Sequence, residues 1–253
     1  MRRGKSIAVV VPAFNEAERI PRVVSRIPDW VDLVVVVDDG SWDATASEAD
    51  ATGKRRGRTV VIRHDANRGV GAAIVTGYRE ATAAGADVLA VMAGDDQMDP
   101  EDLAAVVTPV VAGHAAYVKG NRFLHAERRR MPLARRIAGR VLALLTRTAT
   151  GLSIDDSQCG YTALSARAVC ALPLDDLWPR YGYPNDLLGM LAAHRLPVFE
   201  VTVRPVYAGE RTGVRPWHAF VVAFVIARRW LKSRRLRTAA RATSLAQARS
   251  TSR

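Results

Sequence analysis

Asp87-Val88-Leu89-Ala90-Val91-Met92-Ala93-Gly94-Asp95-Asp96-Gln97-Met98-Asp99-Pro100 sets an apolar run directly against a cluster of carboxylates. The first six residues read as a strand. Asp99 then serves as N-cap to a helix with Pro100 at its first position, where a missing N–H breaks no hydrogen bond. A buried strand ending in carboxylates, with a glycine beside them, is how an open α/β sheet presents a ligand site at its carboxyl edge. An acidic surface turn has the same composition, so the flanking sequence has to separate the two readings.

Upstream, strands and helices alternate. Ser6 to Val11 is a β-branched strand, Pro12-Ala13-Phe14-Asn15-Glu16 a loop, and Glu16 to Arg26 a helix. Leu33 to Val37 is continuously apolar, as suits a strand covered on both faces of a parallel sheet. It stops at Asp38-Asp39-Gly40-Ser41. A helix follows from Asp43 to about Thr52, then a basic turn from Gly53 to Arg58 and a strand from Thr59 to Arg63. Asn67-Arg68-Gly69-Val70-Gly71 leads into a helix from about Ala72 to Ala83. This order predicts right-handed βαβ units and a mostly parallel central sheet flanked by helices.

Downstream the pattern loosens. Helices are expected over Asp102 to Ala112 and Asn185 to His194, and strands over Ala116 to Lys119 and Val198 to Val203. Pro132 to Thr148 is amphipathic: Leu133, Ile137, Val141, Leu144 and Leu145 share one face, flanked by Arg136, Arg140 and Arg147. Asp155 to Tyr161 is a polar loop and Gly209 to Val214 a Gly-bounded basic one. Trp217 to Leu231 is apolar until Arg228-Arg229, and the Ala/Ser/Thr/Arg stretch after Thr238 lacks the apolar content to order itself.

With 253 residues, 49% of them hydrophobic, one large α/β domain can be filled and wholesale disorder is excluded. The net charge of +12 is unevenly placed: nine Lys and Arg and no Asp or Glu follow from Arg228 onward, leaving only +3 for residues 1–227. A second basic patch, Glu127 to Arg147, holds seven arginines against one Glu. Tail and patch could meet anionic lipid, phosphate or nucleic acid. With aromatics at 6% and no recognition motif, no nucleic-acid partner is expected. Two cysteines, Cys159 and Cys170, make neither a disulfide framework nor a metal cluster and fit a reducing compartment. The run from Ile7 to Val11 is too short for a secretory leader, and no stretch approaches the roughly 20 apolar residues of a spanning helix.

The chemistry-bearing residues sit at strand ends. The turn after strand one has no glycine, against the G-x-G-x-x-G of a dinucleotide fold, so a nicotinamide enzyme is disfavoured. Asp39, ending strand two beside that turn, can accept hydrogen bonds from a base N–H or from ribose; Ser41 and Asp43 could equally form an Asx turn and cap the next helix. Asp95 can hold Mg²⁺ or Mn²⁺, hard ions that bridge carboxylate to phosphate. Arg211 and Arg215, on a Gly-flanked loop, suit a diphosphate leaving group.

These stretches together resemble the family 2 glycosyltransferases: Val10 to Glu16, Val37 to Thr45, Asn67 to Gly71 and the Asp95 region, in that order. Lys119-Gly120-Asn121-Arg122-Phe123, Asp155 to Tyr161 and Gly209 to Arg215 are similar to segments of the polyprenyl (dolichyl) phosphate sugar synthases. The resemblance covers residues 6–215 and implies the nucleotide-diphospho-sugar transferase (GT-A) fold with a C-terminal interfacial helix. It divides the chain into a transferase domain at 1–215, a membrane-proximal helix at 216–237 and a basic tail at 238–253. It implies that Pro12, Ala13, Phe14, Glu16, Asp39, Gly94, Asp96, Arg211 and Arg215 line the nucleotide-sugar site. Asp95 and Gln97 would be the metal side, and Arg122 and Arg135 would face the acceptor phosphate. The implied reaction moves a hexose, with inversion, from a GDP-mannose or UDP-glucose type donor to a polyprenyl phosphate. The enzyme would use Mg²⁺ or Mn²⁺ and sit peripherally on the cytoplasmic, inner face of the cell membrane. Two departures stand out: the family's Asp-x-Asp is Ala93-Gly94-Asp95 here, and Gly139 stands where such synthases often have Ser. Asp96 could replace the missing carboxylate only if a local turn re-aimed it, because adjacent strand-end residues point oppositely. The alternatives are a glycan or lipid hydroxyl acceptor, with Asp156 or Asp186 as base, and a non-catalytic sugar-nucleotide-binding protein.

Overall fold

A computed structural model describes residues 4–206, 217 and 219–233. Among them seven strands form one sheet: β1 (Ile7–Ala13), β2 (Leu33–Asp38), β3 (Thr59–Arg63), β4 (Val88–Val91), β5 (Tyr117–Asn121), β6 (Thr162–Ser165) and β7 (Val198–Thr202). Their order across the sheet is β3-β2-β1-β4-β6-β5-β7. β1 pairs in parallel with both β2 and β4, whereas β6 runs antiparallel between β4 and β5. The sheet is therefore mostly parallel, as expected.

Alternation along β1 fills both faces. Ile7, Val9 and Val11 pack with α1 (Ile20–Arg26) and α4 (Leu103–Val111), while Ala8 and Val10 pack with α3 (Val70–Ala83), α6 (Ala166–Ala171) and α7 (Tyr183–Ala193). This two-sided burial explains the continuous apolar runs. The remaining helices are α2 (Thr45–Arg56), α5 (Leu133–Thr150) and α8, residues 219–233.

The basic turn expected at Gly53 to Arg58 is instead the last turn of α2. Gly53 has no side chain where β3 passes: a Cβ there would lie 2.7 Å from Thr59 Cγ2. Lys54, Arg55 and Arg56 sit favourably at the helix C-terminus, and Gly57 (φ +72°) ends it. On α5 the amphipathic pattern is inverted relative to an ordinary core helix. Gly139, Leu142, Ala143 and Thr146 face inward, and the five residues of the apolar stripe, Leu133, Ile137, Val141, Leu144 and Leu145, are exposed. Gly139 is where Phe123 crosses the helix; a Cβ would stand 2.8 Å from its ring.

Candidate active site

Strand order reverses at β1, and its carboxyl end, between those of β2 and β4, opens into a cavity of about 550 Å³. This is where open α/β sheets bind ligands. Pro12, Ala13, Phe14 and Glu16 line it from β1, Asp39 from β2, and Ala93, Gly94 and Asp95 from β4. The strand-end loops are tied together: Asp39 N–H donates to Ala13 O (2.9 Å) and Gly94 N–H to Pro12 O (3.0 Å). Ser41 Oγ and Thr45 Oγ1 accept the N–H groups of Asn15 (2.8 Å) and Glu16 (2.7 Å). Asp43 takes the N–H of Thr45 (3.0 Å); these hydrogen bonds outweigh burial and hold its carboxyl below the ordinary range.

Asp39 is nearly buried and its two oxygens face different donors. Oδ1 lies 2.7 Å from His64 Nδ1 and accepts Arg68 N–H at 3.0 Å; Oδ2 accepts Gly69 N–H at 2.7 Å. It therefore clamps the Asn67 to Gly69 loop, which forms the next part of the wall. The far wall is Trp178, Arg180 and Tyr181, residues the sequence reading did not single out. Pro179 O accepts the N–H groups of Gly71 (2.8 Å) and Ala72 (3.1 Å), so two of the donors at the start of α3 that a dinucleotide fold would offer to pyrophosphate are already satisfied. Trp217 and Val221 complete the lining, making α8 part of the cavity.

Asp186 fastens α8 in place. It is fully buried, and Arg229 grips it through Nε (2.6 Å) and the second guanidinium nitrogen (2.7 Å). Gly189, one helical turn along α7, leaves the groove through which Arg229 passes; a Cβ there would overlap its Cγ. Asp186 Oδ2 also accepts Trp178 N–H (2.8 Å), and Arg228 and Phe224 lie against the Trp178 ring. Lys232 pairs with Asp176. Arg228, Arg229 and Lys232, the first of the basic residues that run from Arg228 onward, thus join α8 to the domain.

The other residues expected at the site divide as follows. Asp95 lines the cavity and accepts Gln97 N–H at 3.1 Å. Asp96, at φ +58°, is not brought there: its carboxylate meets Arg22 (3.0 Å) and Arg26 (3.3 Å) of α1. Ala93 itself faces the cavity, so the lining has one carboxylate on β4 where the motif has two, and the local turn aims Asp96 away rather than toward it. Asp156, fully buried, takes Arg122 bidentately (2.7 and 2.9 Å). Burial would raise the Asp156 carboxyl, but the Arg122 guanidinium outweighs it and holds it below the ordinary range. Burial raises the Tyr181 hydroxyl, and the charges of Arg122 and Arg135 partly offset this. Arg211 and Arg215 lie outside the described residues.

Among the described residues no group of three or more His, Cys, Asp or Glu could hold a metal. Asp95 lines the cavity and offers the carboxylate oxygen that Mg²⁺ or Mn²⁺ takes, so it would be the residue to hold a divalent ion there.

This architecture, an open sheet with carboxylates from two strand ends facing one cavity, is a nucleotide-diphospho-sugar transferase (GT-A) fold. Residues 8–163 match Glycosyl transferase family 2, and the chain belongs to that family. It is 30% identical over 217 residues to the UDP-N-acetylglucosamine–dolichyl-phosphate N-acetylglucosaminyltransferase of Methanococcus voltae, covering 80% of this chain and 86% of that one. It is 29% identical over 204 residues to the undecaprenyl-phosphate mannosyltransferase of Micrococcus luteus, covering 78% and 82%. Among solved structures it is similar to glucosyl-3-phosphoglycerate synthase of Mycobacterium tuberculosis in complex with Mn²⁺, UDP and glucosyl-3-phosphoglycerate, with a TM-score of 0.66, 25% identity and 89% and 80% coverage.

Proposed function

We propose that the protein transfers a hexose, with inversion, from a nucleotide diphosphate sugar to a polyprenyl phosphate at the inner face of the cell membrane. The observation that carries this is the state of Asp156 and Asp186, the two carboxylates that the sequence offers as general base for a hydroxyl acceptor. Asp156 and Asp186 are both 0% exposed, and each is gripped bidentately by an arginine. A hydroxyl acceptor needs a base with a lone pair directed at its proton. A phosphate acceptor is already an anion near neutral pH and needs only positioning and charge neutralisation. The two relatives named for transfer to dolichyl and undecaprenyl phosphate support the same reading.

In this mechanism an acceptor phosphate oxygen bonds to the anomeric carbon as the bond to the diphosphate breaks. The nucleoside diphosphate departs with the electron pair, and no proton moves. Arg122, oriented by Asp156, and Arg135 hold the acceptor phosphate. Asp95 and Gln97 would hold Mg²⁺ or Mn²⁺, which would supply charge neutralisation to the diphosphate. Arg211 and Arg215 act on the same diphosphate.

No helix of the described residues is long and apolar enough to cross a membrane. Support for peripheral binding comes from the exposed apolar face of α5, ringed by exposed Arg128, Arg129, Arg130, Arg140 and Arg147. α8 packs beside it through Leu142, Val222 and Ile226 and exposes Phe220 and Phe224. An apolar face with a basic rim suits an anionic bilayer surface.

The test supplies polyprenyl phosphate and polyprenol in parallel with UDP- and GDP-sugars and Mn²⁺. Product is expected from the phosphate alone, and Arg122→Ala should abolish transfer while sparing donor binding. Equal turnover of the free alcohol would refute the phosphate acceptor.

A further inference from the structure

The described lining of the cavity carries three carboxylates, Glu16, Asp39 and Asp95, and one side chain of fixed positive charge, Arg180. Glu16 is answered by Arg19 at 2.7 Å and Asp39 by His64 and two backbone N–H groups. Arg180 differs: its hydrogen bonds go only to neutral oxygens, Asn67 Oδ1 at 3.2 Å and Asn67 O at 3.4 Å, and no carboxylate pairs with it among the described residues. A guanidinium offers five donors in a planar fork, so two long contacts leave most of that capacity for another acceptor.

Its placement is built into the loop beneath it. Gly69 has φ +101°, and a Cβ there would lie 2.7 Å from Arg180 Cγ and 2.5 Å from Pro179 O. The stem of Arg180 thus rests on the backbone of the loop that Asp39 clamps. At the start of α3, the other source of donors in this part of the wall, the N–H groups of Gly71 and Ala72 are taken by Pro179 O. An anion entering a cavity with this lining needs a cation that is not already neutralised.

We infer that Arg180 is a donor-binding residue that contacts the diphosphate of the nucleotide sugar from the α7 side of the cavity. The inference rests on the proposed nucleotide-sugar function and adds a residue that the sequence motifs do not contain. Arg180 binds a group present in both ground state and leaving group, so it should act on nucleotide affinity more than on the chemical step.

Titration calorimetry with UDP and GDP, and ligand-observed NMR with uridine and guanosine, test it on wild type, Arg180→Gln and Arg180→Ala. The Gln variant retains hydrogen bonding toward Asn67 without the charge and guards against a loop-folding artefact. Loss of one charge-assisted contact should weaken the preferred diphosphate by about 10- to 100-fold in both variants and leave its nucleoside unchanged. Unchanged diphosphate affinity overturns the inference. Equal weakening of nucleoside and diphosphate also overturns it, because Arg180 would then only shape the loop. A wild-type protein that binds neither UDP nor GDP, with or without Mn²⁺, overturns the nucleotide-sugar function itself and this inference with it.

Discussion

Replacing Arg229 with methionine is the sharpest test of how the cavity is held. Arg229 is 6% exposed and Asp186 0%, so the substitution strands a buried carboxylate. What remains is one N–H, from Trp178 at 2.8 Å, and Arg228 at 3.7 Å. Removing one partner of a buried pair costs about 3–5 kcal/mol, most of it the penalty on the abandoned charge. In a domain of this size each kcal/mol is worth about 2–4 °C, so Tm should fall by roughly 6–20 °C. The double variant Arg229→Met with Asp186→Asn, which keeps an acceptor for Trp178 N–H, should recover most of the loss. Gly189→Ala should cost about 1–3 kcal/mol by overpacking the groove that Arg229 occupies. Nucleotide affinity should fall in Arg229→Met as well, because Asp186 positions Trp178 in the cavity wall. Thermal unfolding followed by titration with UDP and GDP reads both effects. A single variant within 1 kcal/mol of wild type, or one no weaker than the double variant, would refute this account.

Ala93→Asp restores a second carboxylate to the lining and should tighten Mn²⁺ binding in the presence of nucleoside diphosphate by roughly 10-fold, measured by calorimetry. Because Asp156 titrates below its ordinary value of 3.8, its native-state stabilisation is full above that value and is lost as pH falls through the lower one. Urea unfolding should therefore show stability dropping below about pH 4, whereas in Arg122→Met burial dominates, the carboxyl moves up, and its loss of stability shifts to higher pH. Ile137→Asp with Leu144→Asp should abolish cosedimentation with anionic vesicles and leave Tm within a few degrees, since both side chains are already in solvent; unchanged sedimentation would remove α5 from the membrane surface.

The first half of the fold was legible because its signals are local. β1, β2 and β4 are apolar runs that stop at Pro12, Asp38 and Ala93, and their carboxyl ends do converge on one cavity. β6 and α6 went unread: Thr162 to Ser165 is four residues with one β-branched side chain, running straight into a helix, too short for any period to register. The strand-end residues were identifiable by type, but their engagement was not. That Asp39 is filled by the loop 30 residues on, or that Asp186 meets an arginine 43 residues away, is tertiary information. The Trp178 to Tyr181 wall carried only a weak signal, aromatics and an arginine clustered before a helix. The orientation of Asp96 turned on a single positive φ that no pattern announces.

The cavity draws its lining from Pro12 at one extreme and Val221 at the other. During synthesis the carboxylates and the Asn67 loop therefore emerge long before Trp178, Pro179 and α8. Until Pro179 arrives, the first N–H groups of α3 have only water to satisfy them. A nascent or truncated chain holds half a pocket. On the proposed function, donor occupancy is consequently a property of the finished domain, and donor nucleotide would draw the folding equilibrium toward chains that have docked α8 against α7, a selective stabilisation of completed molecules.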